Sequence, residues 1–179
     1  MDIVAKATVI ATHAHEGQVR KSDGTPFIAH PLAVGEILRV YGFSDAVVAA
    51  GIAHDILEDT TVSETELREK LGDSVVDIVC GVSEDKTLPW EERKEQYIEM
   101  VASAPEEVKA VSVADKIHNA KSFIEAYEAQ GVGLWKKFSR GPEKTLWFQR
   151  TLLEELKKTW THPMLDEFEV LVRKLEALT

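Results

Sequence analysis

The sequence predicts an all-α protein with a single domain. Apolar residues recur at helical spacing through almost the whole chain, and no convincing run alternates apolar and polar residues as a half-buried strand would. The 179 residues are 44% hydrophobic, which suffices for one core, and no repeat, low-complexity tract or linker divides them. We therefore expect one domain over residues 1–179, with a core of about 3–160 and a C-terminal helix of about 163–178.

Three helices are predicted in the first 60 residues. The first ends near Gly17, ahead of a turn-forming stretch at 22–26. The second starts after Pro31, a residue that suits a first helical turn, and ends at Gly42. The third is strongly apolar and has Ser44 in position to cap it.

Helical patterns continue through the rest of the chain. Ser63 and Glu66 have the spacing of a capping box, and Asp73 is placed to cap a helix over 75–82. That last segment is rich in β-branched residues and is also the best strand candidate, although a buried helix fits it at least as well. Further helices are predicted around 97–101, 108–124, 143–160 and 165–178, and three glycines make 129–142 look like a long loop.

Composition excludes several classes of protein. The chain has 21 basic and 31 acidic residues, so its net charge of 21 − 31 = −10 argues against broad binding to nucleic acid or anionic membranes. The longest apolar run, 46–53, is far shorter than the roughly 20 residues of a membrane span, and no secretory signal is visible. Because Cys80 is the only cysteine, no internal disulfide can form. We expect a cytoplasmic protein.

An acidic segment stands at residues 54–59, at the end of the third predicted helix. The macrodipole is negative there, so each added carboxylate costs a few tenths to about 1 kcal/mol. Helical spacing places Glu58 four residues after His54 and Asp59 four residues after Asp55. A divalent cation would turn this repulsion into coordination. The alternative is a solvated helix end with a surface histidine.

Two other segments carry side chains of similar chemistry. Asp115 and Asn119 share one face of a predicted helix, and His30 lies at a junction between a loop and a helix. Each alone is as typical of an exposed surface. Together, two histidines and two aspartates make a mixed nitrogen and oxygen ligand set that suits manganese, iron or zinc better than calcium: His30, His54, Asp55 and Asp115. Signatures of zincin proteases, P-loop NTPases and α/β-hydrolases are missing.

Four motifs then follow one another in a characteristic order. They are Arg-Lys-x-x-Gly-Thr-Pro-Phe-Ile-x-His-Pro at 20–31, His-Asp-x-x-Glu-Asp-Thr at 54–60, Val-x-x-Asp-Lys-Thr at 82–87 and Ala-Asp-Lys-x-x-Asn at 114–119. The series resembles the HD-domain hydrolases of the RelA/SpoT family in their stand-alone small alarmone hydrolase form, and it covers residues 3 to 160. The resemblance implies an HD-domain helical bundle.

The resemblance also implies an activity. It is that of a manganese-dependent hydrolase, with Fe²⁺ or Zn²⁺ as the other candidate metals, that removes the 3′-pyrophosphate from guanosine tetra- or pentaphosphate. The four histidine and aspartate residues correspond to the metal ligands, and Glu58 and Asp59 to the acidic pair that positions and deprotonates water. The residues that correspond to substrate contacts, or add charge for them, are Arg20, Lys21, Asn119, Lys86 and Arg140.

Other interpretations stay open at this point. Lys144 and Ser112 stand where relatives typically carry a tyrosine and a lysine. An HD phosphohydrolase acting on NADPH or a deoxynucleotide is the alternative enzyme. A non-catalytic nucleotide-binding regulator is the third class, although no candidate ligand or acid is missing. We expect no nucleic-acid or membrane partner, and a homo-oligomer is compatible with the sequence.

Several neighbouring residues are expected to have no part in the site. Lys116 is expected to be an ordinary exposed lysine, with added positive potential for a polyanionic substrate as the alternative. His118 is left outside the site, with a contact to Asp115 as its best alternative. The four tryptophans are expected in the core or at an interface rather than beneath a base: Trp90, Trp135, Trp147 and Trp160.

Overall fold

A computed structural model describes residues 1–137 and 140–179, and it confirms the all-α prediction. Its described residues contain no strand, and the only bridge among them joins Val19 to Pro26. The helices are α1 Ile3–Ala14, α2 Ala29–Val40, α3 Asp45–Ala53, α4 Ile56–Asp59, α5 Glu64–Leu71, α6 Asp73–Val82, α7 Trp90–Ser103, α8 Glu106–Gln130, α9 Gly141–Thr159 and α10 Pro163–Glu176, with a 3₁₀ helix at Gly131–Lys137 between α8 and α9.

Some helix ends differ from the prediction. Helix α2 begins at Ala29 and so includes Pro31 in its first turn, where the N–H that proline lacks would have no helical partner anyway. Gly72, not Asp73, is the N-cap of α6, because Asp73 is already helical and its carboxylate turns to Arg68. Helix α3 stops at Ala53, so the acidic segment spans a break between two helices.

The predicted loop at 129–142 is mostly helical. Helix α8 continues to Gln130 and ends where Gly131 takes a positive φ of 69°, a conformation that favours glycine. The 3₁₀ helix follows at once, and residues 138 and 139 lie outside the described part of the chain. Lys137 Nζ donates to the carbonyl of Ser22, 3.1 Å away, so this connection is tied to the loop that follows α1.

Two central helices organise the bundle. Helix α3 is buried along its length from Val47 to Ala53, and α1, α2, α6 and α8 surround it. Helix α8 is long enough to contact both this group and the C-terminal helix α10. Buried apolar residues from α1 to α10 join in one core. In the part of the chain that the structure describes, no helix is both long and apolar enough to cross a membrane.

Two glycines let α2 and α3 approach closely. A Cβ atom at Gly35 would lie 2.6 Å from Ile52 Cγ1, and one at Gly51 would lie 2.3 Å from Leu38 Cδ1. Both positions therefore need a residue without a side chain. The close approach brings the start of α2, which carries His30, beside the end of α3, which leads to His54.

We expect Gly51→Ala to destabilise the protein. Overpacking typically costs about 1–3 kcal/mol, and the new Cβ would meet Leu38, which is fully buried. Set against a helix-propensity gain of about 1 kcal/mol, we expect a net loss of roughly 1–2 kcal/mol. Thermal unfolding should show Tm lowered by roughly 2–8 °C. Gly133→Ala is the control, because no atom lies within 4 Å of a Cβ built there. An unchanged or raised Tm for Gly51→Ala would contradict the expected clash.

Candidate active site

Three parts of the chain meet where α2 begins, α3 ends and α8 passes its middle. His30 lies in the first turn of α2, and Asp115 lies near the centre of α8. His54 and Asp55 form the break between α3 and α4, which turns both side chains toward the same point as the other two. The structure thus brings the four predicted ligands together.

Their nitrogen and oxygen atoms converge. His30 Nε2 lies 3.1 Å from Asp115 Oδ1 and 3.6 Å from Asp55 Oδ2. His54 Nε2 lies 3.2 Å from Asp55 Oδ1 and 3.7 Å from Asp115 Oδ1. Donors about 2 Å from one shared ion lie roughly 3–4 Å from one another, so this spacing fits one metal ion. The ligand atoms of His30, His54 and Asp115 all lie within 4.8 Å of each other.

The orientation of His54 supports this fit. Its Nδ1–H donates to the carbonyl oxygen of Gly51 at 2.8 Å, so in the neutral ring Nε2 carries the lone pair. That buried Nε2 has no hydrogen-bond partner although it faces two carboxylates. Burial favours the neutral ring, but the charges of Asp55 and Asp115 outweigh it and raise the pKa of His54 well above its ordinary value. The pocket therefore favours a positive charge at this nitrogen, whether a proton or a metal ion.

His118 takes part in the arrangement, contrary to the expectation that it lies outside. Its Nδ1 lies 2.7 Å from His30 Nδ1, so one ring donates to the other and the second nitrogen of His30 points at the carboxylates. Burial and the neighbouring His30 lower the pKa of His118 to about 4. His118 contacts His30 rather than Asp115, because α8 turns the ring toward the start of α2. The sequence could have indicated this position, because His118 follows Asp115 by three residues and therefore lies on the same side of the helix.

Asp115 is the most highly connected side chain of the site. Lys116 Nζ donates to Oδ2 at 2.5 Å, and Asn119 Nδ2 donates to Oδ1, the oxygen that also faces both histidines. Burial raises the pKa of a carboxyl group, but here Lys116 and the two histidines outweigh it and hold the pKa of Asp115 well below its usual value. Lys116 is buried, so the expectation of an exposed lysine was wrong.

Glu58 and Asp59 occupy different positions around this centre. Glu58 is half-buried and its Oε1 accepts from the backbone N–H of Glu84 at 2.9 Å; burial raises its pKa. It lines a small cavity of about 90 Å³ together with His54, Asp55 and Asp115. This cavity has room for a few water molecules next to the metal ligands.

Asp59 is exposed and lines a larger cavity. Lys86 binds its carboxylate and also donates to the carbonyl oxygen of Glu58, 2.9 Å from Nζ. Gln18 Nε2 donates to the Asp59 carbonyl oxygen at 2.9 Å, which ties α4 to the loop after α1. The structure thus places Lys86 against the acidic pair, and the substrate contact expected for it stays a prediction.

The larger cavity has a volume of about 780 Å³, within the range of small-molecule sites. Arg20, Lys21 and Asn119 line it, as do the metal-centre residues His30 and Asp115. Arg20 Nη2 donates to Asn119 Oδ1 at 3.0 Å, while its buried Nε has no partner. A chain of contacts therefore leads from the cavity wall through Asn119 to Asp115.

All four tryptophans pack against the core as expected, and two of them also line this cavity. Trp90 and Trp135 face it, while Trp147 packs against Trp90 at a tilt of 53°, with ring centres 6.1 Å apart. Trp90 is the first residue of α7 and is half-buried. The guanidinium of Arg140 lies 5.8 Å from the centre of the Trp90 ring, so Arg140 stands beside the cavity wall.

The side chains at the two positions that depart from the family pattern both contact other side chains of the protein. Lys144 forms an exposed ion pair with Glu91, and the buried hydroxyl of Ser112 lies 2.7 Å from that of Tyr97.

Sequence reasoning missed one residue of the large cavity, Lys94. The sequence could have indicated its position, because Lys94 lies three residues before Tyr97 and therefore shares the buried face of α7.

Comparisons with known proteins agree with this geometry. The family described as HD domain matches residues 7–139. The guanosine-3′,5′-bis(diphosphate) 3′-pyrophosphohydrolase MESH1 of Danio rerio is 36% identical over 122 residues, which are 66% of this chain and 68% of that protein. The chain spans only 22% and 18% of two longer curated relatives.

Two solved structures share the fold. One is a protein of Listeria monocytogenes EGD-e, with 38% identity, a TM-score of 0.77, and coverage of 82% of this chain and 97% of the other. The other is a metazoan ortholog of SpoT that hydrolyses ppGpp; at 24% identity it shows the fold alone, with a TM-score of 0.82 and coverage of 100% and 98%. The chain therefore belongs to the HD-domain family, in the branch that contains MESH1.

Proposed function

We propose that this protein is a metal-dependent hydrolase that removes the 3′-pyrophosphate from guanosine tetra- or pentaphosphate. The observation that carries the proposal is the histidine and aspartate centre opening directly into a 780 Å³ cavity walled by Arg20 and Lys21. Positive side chains suit a polyanionic nucleotide although the whole chain carries a net charge of −10. The MESH1 relative bears the name of this activity.

In this proposal His30, His54, Asp55 and Asp115 hold one divalent ion. Two imidazole and two carboxylate donors suit Mn²⁺, with Fe²⁺ and Zn²⁺ as the other candidates. When bound, such an ion lowers the pKa of water and polarises a phosphoryl oxygen. His118 acts as a positioning residue, because its contact with Nδ1 of His30 fixes which nitrogen faces the ligand cluster.

Glu58 and Asp59 serve the water molecule. Glu58 shares the 90 Å³ cavity with the ligands, so water there lies within its reach. Burial raises the pKa of Glu58, which makes its carboxylate a stronger base for the proton of that water. Asp59 faces the larger cavity, and Lys86 keeps it oriented. The water oxygen bonds to phosphorus and one of its protons passes to Glu58. The bond from phosphorus to the ribose 3′-oxygen breaks with its electron pair on that oxygen, which takes up a proton to become the 3′-hydroxyl, and pyrophosphate is released.

The nucleoside is held on the side of the cavity formed by the loop after α1. Arg20 has a free Nε–H donor and a planar group that can stack on a purine, and Lys21 is an exposed point charge for a phosphate. Asn119 stands between Arg20 and the metal centre, where the ribose and its 3′-phosphate would lie. Arg140 extends positive charge along the rim beside Trp90.

A substrate panel tests the activity. Purified protein with Mn²⁺ is assayed against guanosine tetra- and pentaphosphate, NADPH and deoxynucleoside triphosphates, with product identified by chromatography. We expect pyrophosphate release from the two guanosine compounds. Activity confined to NADPH or deoxynucleotides would replace the proposed substrate while keeping an HD phosphohydrolase, and nucleotide binding without turnover would indicate a regulator.

We expect Asp55→Asn to lose metal while keeping the fold. The amide preserves shape but removes one anionic ligand, so affinity should fall roughly tenfold or more. Asp115 is a poorer choice, because its removal leaves buried Lys116 unpaired. Elemental analysis after dialysis, with circular dichroism, is the measurement, and Asp77→Asn on the surface of α6 is the control. Full metal content in Asp55→Asn would remove Asp55 from the ligand set.

We expect Glu58→Gln to lower kcat roughly 10²-fold or more, the usual contribution of general acid–base catalysis. The amide oxygen can still accept from the Glu84 N–H, so the local structure and metal content should persist. Steady-state assays at saturating Mn²⁺ measure the change, with Glu66→Gln on α5 as the control. Wild-type turnover in Glu58→Gln would show that this carboxylate has only a structural role.

We expect Arg20→Ala mainly to raise KM. A contact made equally in the ground and transition states contributes uniform binding, and a lost cation–π contact weakens binding by about a few-fold to thirtyfold. Kinetics with guanosine tetraphosphate measure this, and exposed Arg39→Ala on α2 is the control. If KM stayed at the wild-type value, the loop after α1 would not hold the base.

A further inference from the structure

Two lysines meet in one corner of the large cavity. Lys94 comes from α7 and Lys116 from α8, and both line the cavity together with Asp115 of the metal centre. Their side chains are only 16% and 10% exposed, so neither is an ordinary surface lysine. Buried ammonium groups are costly unless anions compensate them.

The same two aromatic rings hold both ammonium groups. Lys94 Nζ lies 4.5 Å from the centre of the Phe148 ring and 5.9 Å from that of Tyr97. Lys116 Nζ lies 4.9 Å from Tyr97 and 5.6 Å from Phe148. The rings thus keep two positive charges close together, and the proximity of Lys116 adds to burial in lowering the pKa of Lys94.

Protein carboxylates compensate this corner only in part. Glu84 is shared between Lys94 and Arg93, whose Nε lies 2.8 Å from Oε2. Lys116 binds Oδ2 of Asp115, whose other oxygen faces the histidines of the metal centre. Three cations therefore share two carboxylates, and one of these two also serves the metal centre. The corner keeps an excess of positive charge.

The lysine corner adjoins the metal centre. Lys116 contacts Oδ2 of Asp115 while the two histidines face Oδ1, so one carboxylate separates Lys116 from the other metal ligands. Lys94 lies over the same two aromatic rings as Lys116. A group held there lies one carboxylate away from a group at the metal centre. Two linked phosphates would occupy two such adjoining positions.

We propose that Lys94 and Lys116 form the subsite for the terminal phosphate of the pyrophosphoryl group, while the phosphate that water attacks lies at the metal centre. The inference rests on the proposed function and deepens it, because it names what distinguishes a 3′-diphosphate from a 3′-monophosphate substrate. Lysine suits this role as a compact charge for phosphate oxygens. The subsite makes Lys94 a specificity-determining residue.

Lys94→Met tests the subsite, because it keeps the aliphatic stem against Phe148 and removes the charge; Lys94→Gln is a second variant should the first fail to fold. Loss of one charged hydrogen bond should raise KM roughly 10- to 150-fold for guanosine 5′-diphosphate 3′-diphosphate. KM for guanosine 5′-diphosphate 3′-monophosphate should change less than about twofold. Arg93→Gln is the matched control, because it also removes a partner of Glu84 but leaves the lysine pair in place.

Calorimetry provides a measurement independent of turnover. Inorganic pyrophosphate should bind wild-type protein more tightly than phosphate does, and Lys94→Met should abolish that difference. Equal losses for the mono- and diphosphate substrates, or unchanged pyrophosphate binding in folded Lys94 variants, would overturn the subsite. Hydrolysis of guanosine tetraphosphate that is insensitive to Lys94 would leave the proposed function standing without the subsite. Lys94-dependent pyrophosphate binding without any hydrolysis of guanosine substrates would leave the subsite standing without the function.

Discussion

The carboxylate of Asp115 is the interaction on which the site depends. A buried carboxylate is stable only when its oxygens are paired, and α8 supplies two of the partners itself, Lys116 and Asn119. Nε2 of His30 and Nε2 of His54, which come from other parts of the chain, also face Oδ1 of Asp115. One buried charge thus holds three parts of the fold in register, and it links the metal centre to the side chains that line the cavity.

The helices around Asp115 are arranged to make that convergence possible. Glycines let α2 and α3 approach more closely than any side chain would allow, which brings His30 beside the end of α3. The break between α3 and α4 then separates the roles of neighbouring residues. His54 and Asp55 turn toward the metal centre, while Glu58 shares the small cavity and Asp59 faces the large one. A continuous helix would not have divided one short motif in this way.

Charge is distributed unevenly between the whole chain and the site. The chain has a net charge of −10, yet four basic side chains line the large cavity: Arg20, Lys21, Lys94 and Lys116. Carboxylates gather where a cation would be held, and cations gather where phosphates would lie. Net charge argues against extended nucleic-acid surfaces, but it carries no information about a pocket of this size.

Periodicity and motif order in the sequence determined the helical class, most helix positions and the four side chains that converge at the centre, because local spacing and residue chemistry are properties of short segments. Only the tertiary structure decided which side chains of different segments contact one another. It showed that Trp90 and Trp135 face the cavity, that Lys116 is buried, and that His118 contacts His30. It also showed that Lys86 binds the carboxylate of Asp59. These facts depend on which faces of distant helices meet, and that choice is made by burial over the whole core rather than by any one stretch of chain.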